Sequence, residues 1–464
     1  MTEPAQHANP AARRAPGPWI VTILGVASVA LMLWPFMWIN PVYMVQGSSA
    51  EELYHIPAIE QFADQLPAPD YSDYASATAP GYHTILAVPR SMGMGFTGIR
   101  MLASLWTLAL VGVLLWVVGR RFGSAALLLV LPFVATNYVL FPGLWLLPDN
   151  AGWLGVLLIF LLVLRSNTGV RTHLLAGTIL LMLVFLRQVH IWTAAPIWLG
   201  AWLGSSGQTP SIRGFFRPIS DRLRRVLVAL ACTLPAFALL GYLVNLWGGL
   251  VPPTFKGEHH GPNPATPGFI LLQIAVLSVF FTPVLLGRLI TVARPLRGWL
   301  IAALIVGALI GLAPQSTFSL ESGRFGGWWG AIDKLPTVLG RSPVYVLGSL
   351  AGAVAVVVWG SMLGRRDAWV YAGTLLSFTL SQTANLESWQ RYHEPMLLMM
   401  ILIILARSPV IRGTPRGLMI GSVLLAAMLG SITALQLREQ TPRGITDERV
   451  ELLQIRAEDA IPRD

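Results

Sequence analysis

The chain has 464 residues, 54% of them hydrophobic and 12% charged, about half the charged share of a soluble domain. The class this leaves is a polytopic helical membrane protein. Its net charge of +10 comes mostly from arginines in short loops, as the positive-inside rule expects, so it does not call for nucleic acid.

In chain order, residues 1–18 carry Arg13 and Arg14 and read as a cytoplasmic tail. The apolar run Trp19 to Ile39 is of spanning length, longer than a signal h-region. It reads as an uncleaved first span, although Ser48-Ser49-Ala50 looks faintly like a cleavage site. Residues 40–97 are too long for a simple connector and read as a first external loop. Within it Leu53, Ile56, Ile59, Phe62 and Ala63 recur at helical spacing, with Glu51, Glu52, His55, Glu60 and Asp64 between them. That predicts a helix lying along the membrane surface. Glu51-Glu52 then has two readings. One is an acidic first turn behind a Ser48 or Ser49 cap. The other is a functional pair at the membrane boundary, where carboxylates are costly.

Further apolar runs follow at 98–119, 122–141, 150–165, 173–187, 189–204, 226–247, 268–288, 298–313, 343–363, 368–386, 392–406 and 417–436. The short 173–187 and 189–204 runs read either as one broken helix or as a pair. The expectation is an all-α membrane domain over 19–436 with about 12 transmembrane helices, and an external tail at 437–464. Arginines settle the expected orientation. Arg120, Arg121, Arg165, Arg171, the cluster from Arg213 to Arg225, Arg288, Arg294, Arg297, Arg365, Arg366, Arg407, Arg412 and Arg416 fall in one alternate set of loops. That set reads as cytoplasmic. The lone Cys232 excludes an internal disulfide and a multi-cysteine metal site. His259-His260 beside Glu258 is not enough for a metal motif.

The remaining polar clusters fall at the opposite, external ends. Asp149 precedes an apolar run and is either a helix cap or a site acid. Arg187, Gln188 and His190 interrupt an apolar run and offer donors suited to a phosphate, unless Arg187 only snorkels. Arg391, Tyr392, His393 and Glu394 repeat that pattern, or form an interfacial anchor.

These residues carry a resemblance. Glu51-Glu52-Leu53-Tyr54-His55-Ile56-Pro57, Ala77-Thr78-Ala79-Pro80-Gly81-Tyr82, Leu186 to Trp192, Val244 to Pro252 with Gly257 to His260, and Arg391-Tyr392 resemble, in order, the signatures of the dolichyl-phosphoglucose-dependent alpha-1,2-glucosyltransferases of the GT-C superfamily. The family's acidic pair is Asp-Glu where this chain has Glu51-Glu52. The resemblance implies a GT-C-like fold and an inverting hexosyltransferase that uses a polyprenyl-phosphate sugar donor and a glycan or lipid-linked acceptor. It implies no cofactor, the lipid-linked sugar being a co-substrate. Such a displacement needs a carboxylate base, for which Glu51 and Glu52 are the candidates. It needs donors on the leaving phosphate: Arg187, Gln188 and Arg391, with Arg324 able to replace either arginine. His55 would position acceptor or base, and Asp149, His190, Glu258 and Tyr392 would face substrate. The Ala/Arg/Gly/Pro-rich composition and short loops suggest a bacterial inner membrane. A transporter or flippase of a lipid-linked sugar is the competing reading, and a non-catalytic lipid-binding scaffold a third.

Overall fold

A computed structural model describes residues 17–39, 51–165, 169–204, 220–255, 261–314, 324–325 and 327–439. Ser48, Ser49, Glu258, most of both tails, and the side chains of Glu52 and Arg324 lie outside that description. The described chain is helical almost throughout.

Helix α1 (Pro18–Ile39) leads into the first loop. A π-helical turn, Glu51–His55, continues directly into α2 (Ile56–Gln65), and α3 (Gly81–Ser91) follows. Next come α4 (Phe96–Phe122), α5 (Ala126–Ala135), α6 (Asn137–Leu144), α7 (Asp149–Val163) and α8 (Val170–Leu186). A 3-10 stretch, Gln188–Thr193, leads into α9 (Ala194–Leu203), and α10 is Ser220–Trp247. The second half holds α11 (Thr266–Val279), α12 (Thr282–Val292), α13 (Arg297–Leu312), α14 (Gly327–Asp333), α15 (Pro343–Ser361), α16 (Arg365–Thr383), α17 (Glu394–Arg407) and α18 (Arg416–Glu439). Two short strands, β1 (Arg324–Phe325) and β2 (Ser388–Trp389), pair in parallel.

Among the described residues, five helical runs are long and apolar enough to cross a membrane: Pro18–Trp38, Phe96–Ala135, Ser220–Trp247, Pro343–Ser361 and Arg416–Leu437. Large apolar side chains such as Trp19, Leu31, Leu227, Leu234 and Leu347 point outward from them. A soluble surface rarely tolerates such a display, whereas lipid solvates it. Counting each of two sharply bent pairs as one span raises the number to seven.

That falls short of the expected count, and the reason is physical. The 150–165 run is α7, bent 118° from α6, and the 268–288 run breaks into α11 and α12 at 106°. The 189–204 run is part 3-10, followed by a ten-residue helix. In α17, from Glu394 to Leu405, every residue is buried, and α7 is nearly as enclosed. Their apolar residues face protein, not lipid, and a helix sheathed in protein need not match the bilayer's thickness. Hydropathy alone cannot separate these two environments.

The Phe96–Ala135 run doubles back. Val111 and Leu115 of α4 line one cavity together with Leu127 and Val134 of α5 and Gly25 and Met32 of α1. A straight helix would hold Val111 and Val134 more than 30 Å apart at about 1.5 Å per residue. The turn falls at Gly123, whose φ of 56° suits glycine. α5 therefore returns alongside α4, while the rest of the 122–141 run is the short, separate helix α6.

Arginines gather the helix ends opposite the first loop. Arg366 donates to the carbonyls of Val163 (2.7 Å) and Gly204 (2.5 Å). Arg407 bonds Leu164 O at 2.9 Å and Asp367 at 2.7 Å, and Arg121 bonds Ile411 O at 2.5 Å. Val163, Leu164 and Gly204 present carbonyls that the C-termini of α7 and α9 leave unpaired, and Arg121 ties α4 to the loop after α17. The ends of α7, α9 and α17 therefore meet at one level, which puts the start of α7, the end of α8 and the start of α17 together at the other.

Candidate functional site

Residues 51–65 are helical, as the π turn and α2, with Ala58, Ile59 and Phe62 buried. Ala58 and Phe62 pack with Tyr74, Ala79, Ala87 and Trp247, and Ile59 packs with Tyr82, Leu86 and Ile99. The loop is therefore docked onto the helical body, and Trp247 Nε1 fastens it by donating to Tyr71 O at 2.7 Å.

Glu51 does not stand in the open as a base would. It is 0% exposed. Its Oε1 accepts from Arg100 Nε at 2.7 Å and from Leu146 N at 3.1 Å, and its Oε2 accepts from the other arm of the Arg100 fork. Burial pushes the carboxyl above its ordinary range, against the pull of Arg100 and the Leu146 amide. With both oxygens taken, Glu51 anchors the π turn to α4 and to the α6–α7 corner. Arg100 escaped the sequence reading. The only signal for it was an arginine one turn into an apolar helix, on the same side as an acid.

Gln188 also differs from expectation. Its Oε1 accepts from Ala79 N at 2.6 Å, and its Nε2 donates to Ala77 O at 2.9 Å and Leu250 O at 3.0 Å. The amide is committed to holding two loops and has no donor left for a phosphate. Three stretches far apart in sequence, 77–82, 186–192 and 244–252, meet through this side chain. Gly81 permits the approach, because a Cβ there would lie 2.5 Å from the Phe185 ring.

Beside this clip lies an ionic cluster. Asp149 is the first residue of α7, and Pro148, which has no side-chain hydrogen bond to give, stands at the N-cap position. Asp149 pairs with Arg187 Nη1 at 2.5 Å, where the chain leaves α8. The Arg187 guanidinium lies 5.2 Å from the centroid of the Tyr392 ring, and that of Arg391 lies 4.8 Å from the same centroid. Among the described residues Arg391 donates one hydrogen bond, to Tyr392 Oη at 2.8 Å, and its buried Nε has no partner. Guanidinium groups pack well against aromatic faces. Here the packing fixes two cations within reach of one carboxylate.

His55 completes the group. Burial pushes its imidazole down to about 3; Asp149 opposes the shift, while Arg391 and Arg187 add to it. His55 is neutral at physiological pH. Its Nδ1 meets His83 Nε2 at 2.8 Å, a partner the sequence reading passed over although it directly follows the Pro80-Gly81-Tyr82 turn.

His190 sits under this cluster. It packs edge-on against Trp153 and so close to α7 that a Cβ at Gly152 would lie 2.6 Å from its Nε2. Its ring nitrogens are buried without hydrogen bonds. It supports the site from below. Arg324 contributes backbone to the strand pair with Ser388. Among the described residues no group of three or more His, Cys, Asp or Glu side chains gathers where it could hold a metal ion.

The cluster thus brings together His55, Asp149, Arg187, Arg391 and Tyr392 from four separate places in the chain. Comparison with protein-family models, with curated proteins and with solved structures finds no match.

Proposed function

We propose that the chain is an inverting membrane hexosyltransferase of GT-C-like architecture. In this reading it moves a glucose-like hexose from a polyprenyl-phosphate sugar to an acceptor hydroxyl at the external face of a bacterial inner membrane. The observation that carries the proposal is the Arg187–Tyr392–Arg391 arrangement, in which one guanidinium retains a buried, unpartnered Nε. Buried cationic donors seek an anion, and a phosphodiester supplies acceptor oxygens for a guanidinium fork.

The reaction would run as follows. The acceptor oxygen attacks the anomeric carbon as its proton passes to a carboxylate, and the bond from that carbon to the phosphate oxygen breaks on the opposite face. The electron pair leaves with the polyprenyl phosphate, whose second negative charge Arg187 and Arg391 stabilise. Since both oxygens of Glu51 are engaged by Arg100 and Leu146, the base role passes to Glu52. The sequence motifs shared with the glucosyltransferases and the convergence of three of them on Gln188 support the same reading. The GT-C arrangement would require the short enclosed helices and bent pairs to count as crossings.

A transfer assay in membranes, with radiolabelled polyprenyl-phosphate sugars and extracted acceptors, tests it. Arg391→Ala should lower kcat/KM about 10- to 100-fold, the value of a hydrogen bond to a charged group. Glu52→Gln should abolish transfer, and wild-type rates in that variant would remove Glu52 as base. If no label leaves any polyprenyl-phosphate hexose in wild-type membranes, the proposal falls. Movement of intact label across the bilayer would instead favour the flippase.

A further inference from the structure

His55 and His83 lie 28 residues apart, on the π turn and on α3, and share one short hydrogen bond between Nδ1 and Nε2 at 2.8 Å. Their rings are nearly parallel, with an interplanar angle of 15° and centroids 5.1 Å apart. His83 is held from three sides by edge contacts with Phe62 (6.4 Å), Tyr74 (6.1 Å) and Tyr82 (5.6 Å). It is fully buried and lies away from the ionic cluster, whereas Asp149, Arg187 and Arg391 act directly on His55.

Two neutral rings that share one hydrogen bond have one proton between them. Which ring carries it decides what His55 shows to the site. If His55 Nδ1 held the proton, His83 would carry its own on Nδ1, and that nitrogen is buried with no partner. An orphaned buried N–H is among the rarest features of folded proteins. If His83 Nε2 holds the proton, the atom left over on His83 is a bare lone pair, and His55 carries its proton on Nε2. That nitrogen lies across the ring from His83. A donor there also suits the nearby Asp149 carboxylate.

We propose that His83 is a positioning residue that fixes His55 as the Nε2–H tautomer, so that His55 donates a hydrogen bond to an oxygen of the bound sugar or phosphate and does not act as a base. The inference rests on the transferase reading for the identity of that oxygen. The tautomer itself is independent of any activity. A second ring nitrogen commonly sets the chemistry of the first in this way.

Solid-state NMR of the full chain in bilayers, labelled with 13C,15N-histidine, reads the tautomer. The His55 signal is identified by its loss in His55→Asn. The expected result is an Nε2–H ring in the wild type and a mixed population in His83→Phe, which keeps the ring but not the donor. His83→Gln, whose amide N–H can reach the same nitrogen, should restore the wild-type pattern. In the transfer assay His83→Phe should raise KM for the polyprenyl-phosphate sugar about tenfold, the worth of one hydrogen bond, and His83→Gln should recover most of it. A wild-type His55 protonated on Nδ1, or a tautomer unchanged in His83→Phe, overturns the inference. Equal recovery by Phe and Gln would reduce His83 to packing and overturns it as well. Absence of transfer in wild-type membranes with His55 as Nε2–H would overturn the transferase reading alone.

Discussion

Glu51 and Arg100 show how one buried ion pair can organise the chain around it. Their side chains are 0% and 1% exposed, and they share a two-pronged bond. Removing one partner of such a pair leaves a buried charge uncompensated, at a cost of about 3–5 kcal/mol, while replacing both is close to neutral. Arg100→Met should therefore lower the unfolding temperature in detergent sharply, and Glu51→Leu/Arg100→Met should recover most of the loss. A double variant as unstable as the sum of the singles would refute the pairing. His55 sets a pH limit. Its imidazole falls from an ordinary 6.5 to about 3 on folding, so the unfolded chain takes up the proton first. The contribution is complete above about pH 6.5 and is lost as pH falls toward 3, at about 1.4 kcal/mol per pH unit. His83 is lowered by burial too, and its loss runs the same way. Thermal unfolding followed from pH 7 to 5 should show stability dropping, with a shallower slope in His55→Asn. An equal slope would place the acid sensitivity elsewhere.

Among the elements, the 3-10 stretch Gln188–Thr193 matters more than its six residues suggest. It begins where α8 stops, at an extended Arg187 with φ of −160°. That break aims Arg187 at Asp149 and frees Gln188 to clip the 77–79 and 250 backbones. With three hydrogen bonds at about 1 kcal/mol each, Gln188→Leu should cost about 2–3 kcal/mol. Amide hydrogen exchange should quicken at 76–80 and 249–251 while α15 stays protected. Unchanged exchange at those loops would contradict the clip. A polar triplet in an apolar run is visible in the sequence, where it reads as a set of phosphate donors or, for Arg187, as an interfacial snorkel. The amide's true partners are backbone groups 62 to 111 residues away, which no local pattern reveals.

For the whole molecule, two ends are defined by different chemistry. One is bound by arginines on helix carbonyls, including Arg121, Arg366 and Arg407. The other holds Glu51, Asp149, Arg187 and Arg391. If the membrane lies between them, single cysteines at Asp70 and Arg412, both exposed, should react with an impermeant thiol reagent from opposite sides of intact cells, with Cys232 replaced. The expected pattern is Asp70→Cys from outside and Arg412→Cys only after permeabilisation. Labelling of both from one side would reject the orientation.

Much of this was determined by the sequence itself: a helical membrane chain, an amphipathic helix in the first loop, a break between the 98–119 and 122–141 runs, and polar stretches that fall at one set of helix ends. Those depend on composition and on short-range periodicity, which any window of the chain exposes. The number of crossings and the division of labour among the polar residues were decided only by tertiary structure. An apolar helix wrapped in protein, such as α17, has the same hydropathy as one bathed in lipid. An acid bound by a distant arginine, as Glu51 is by Arg100, reads the same in sequence as one left free to take a proton. In both cases the difference lies in what packs against the residue, and those partners are brought together only by the fold.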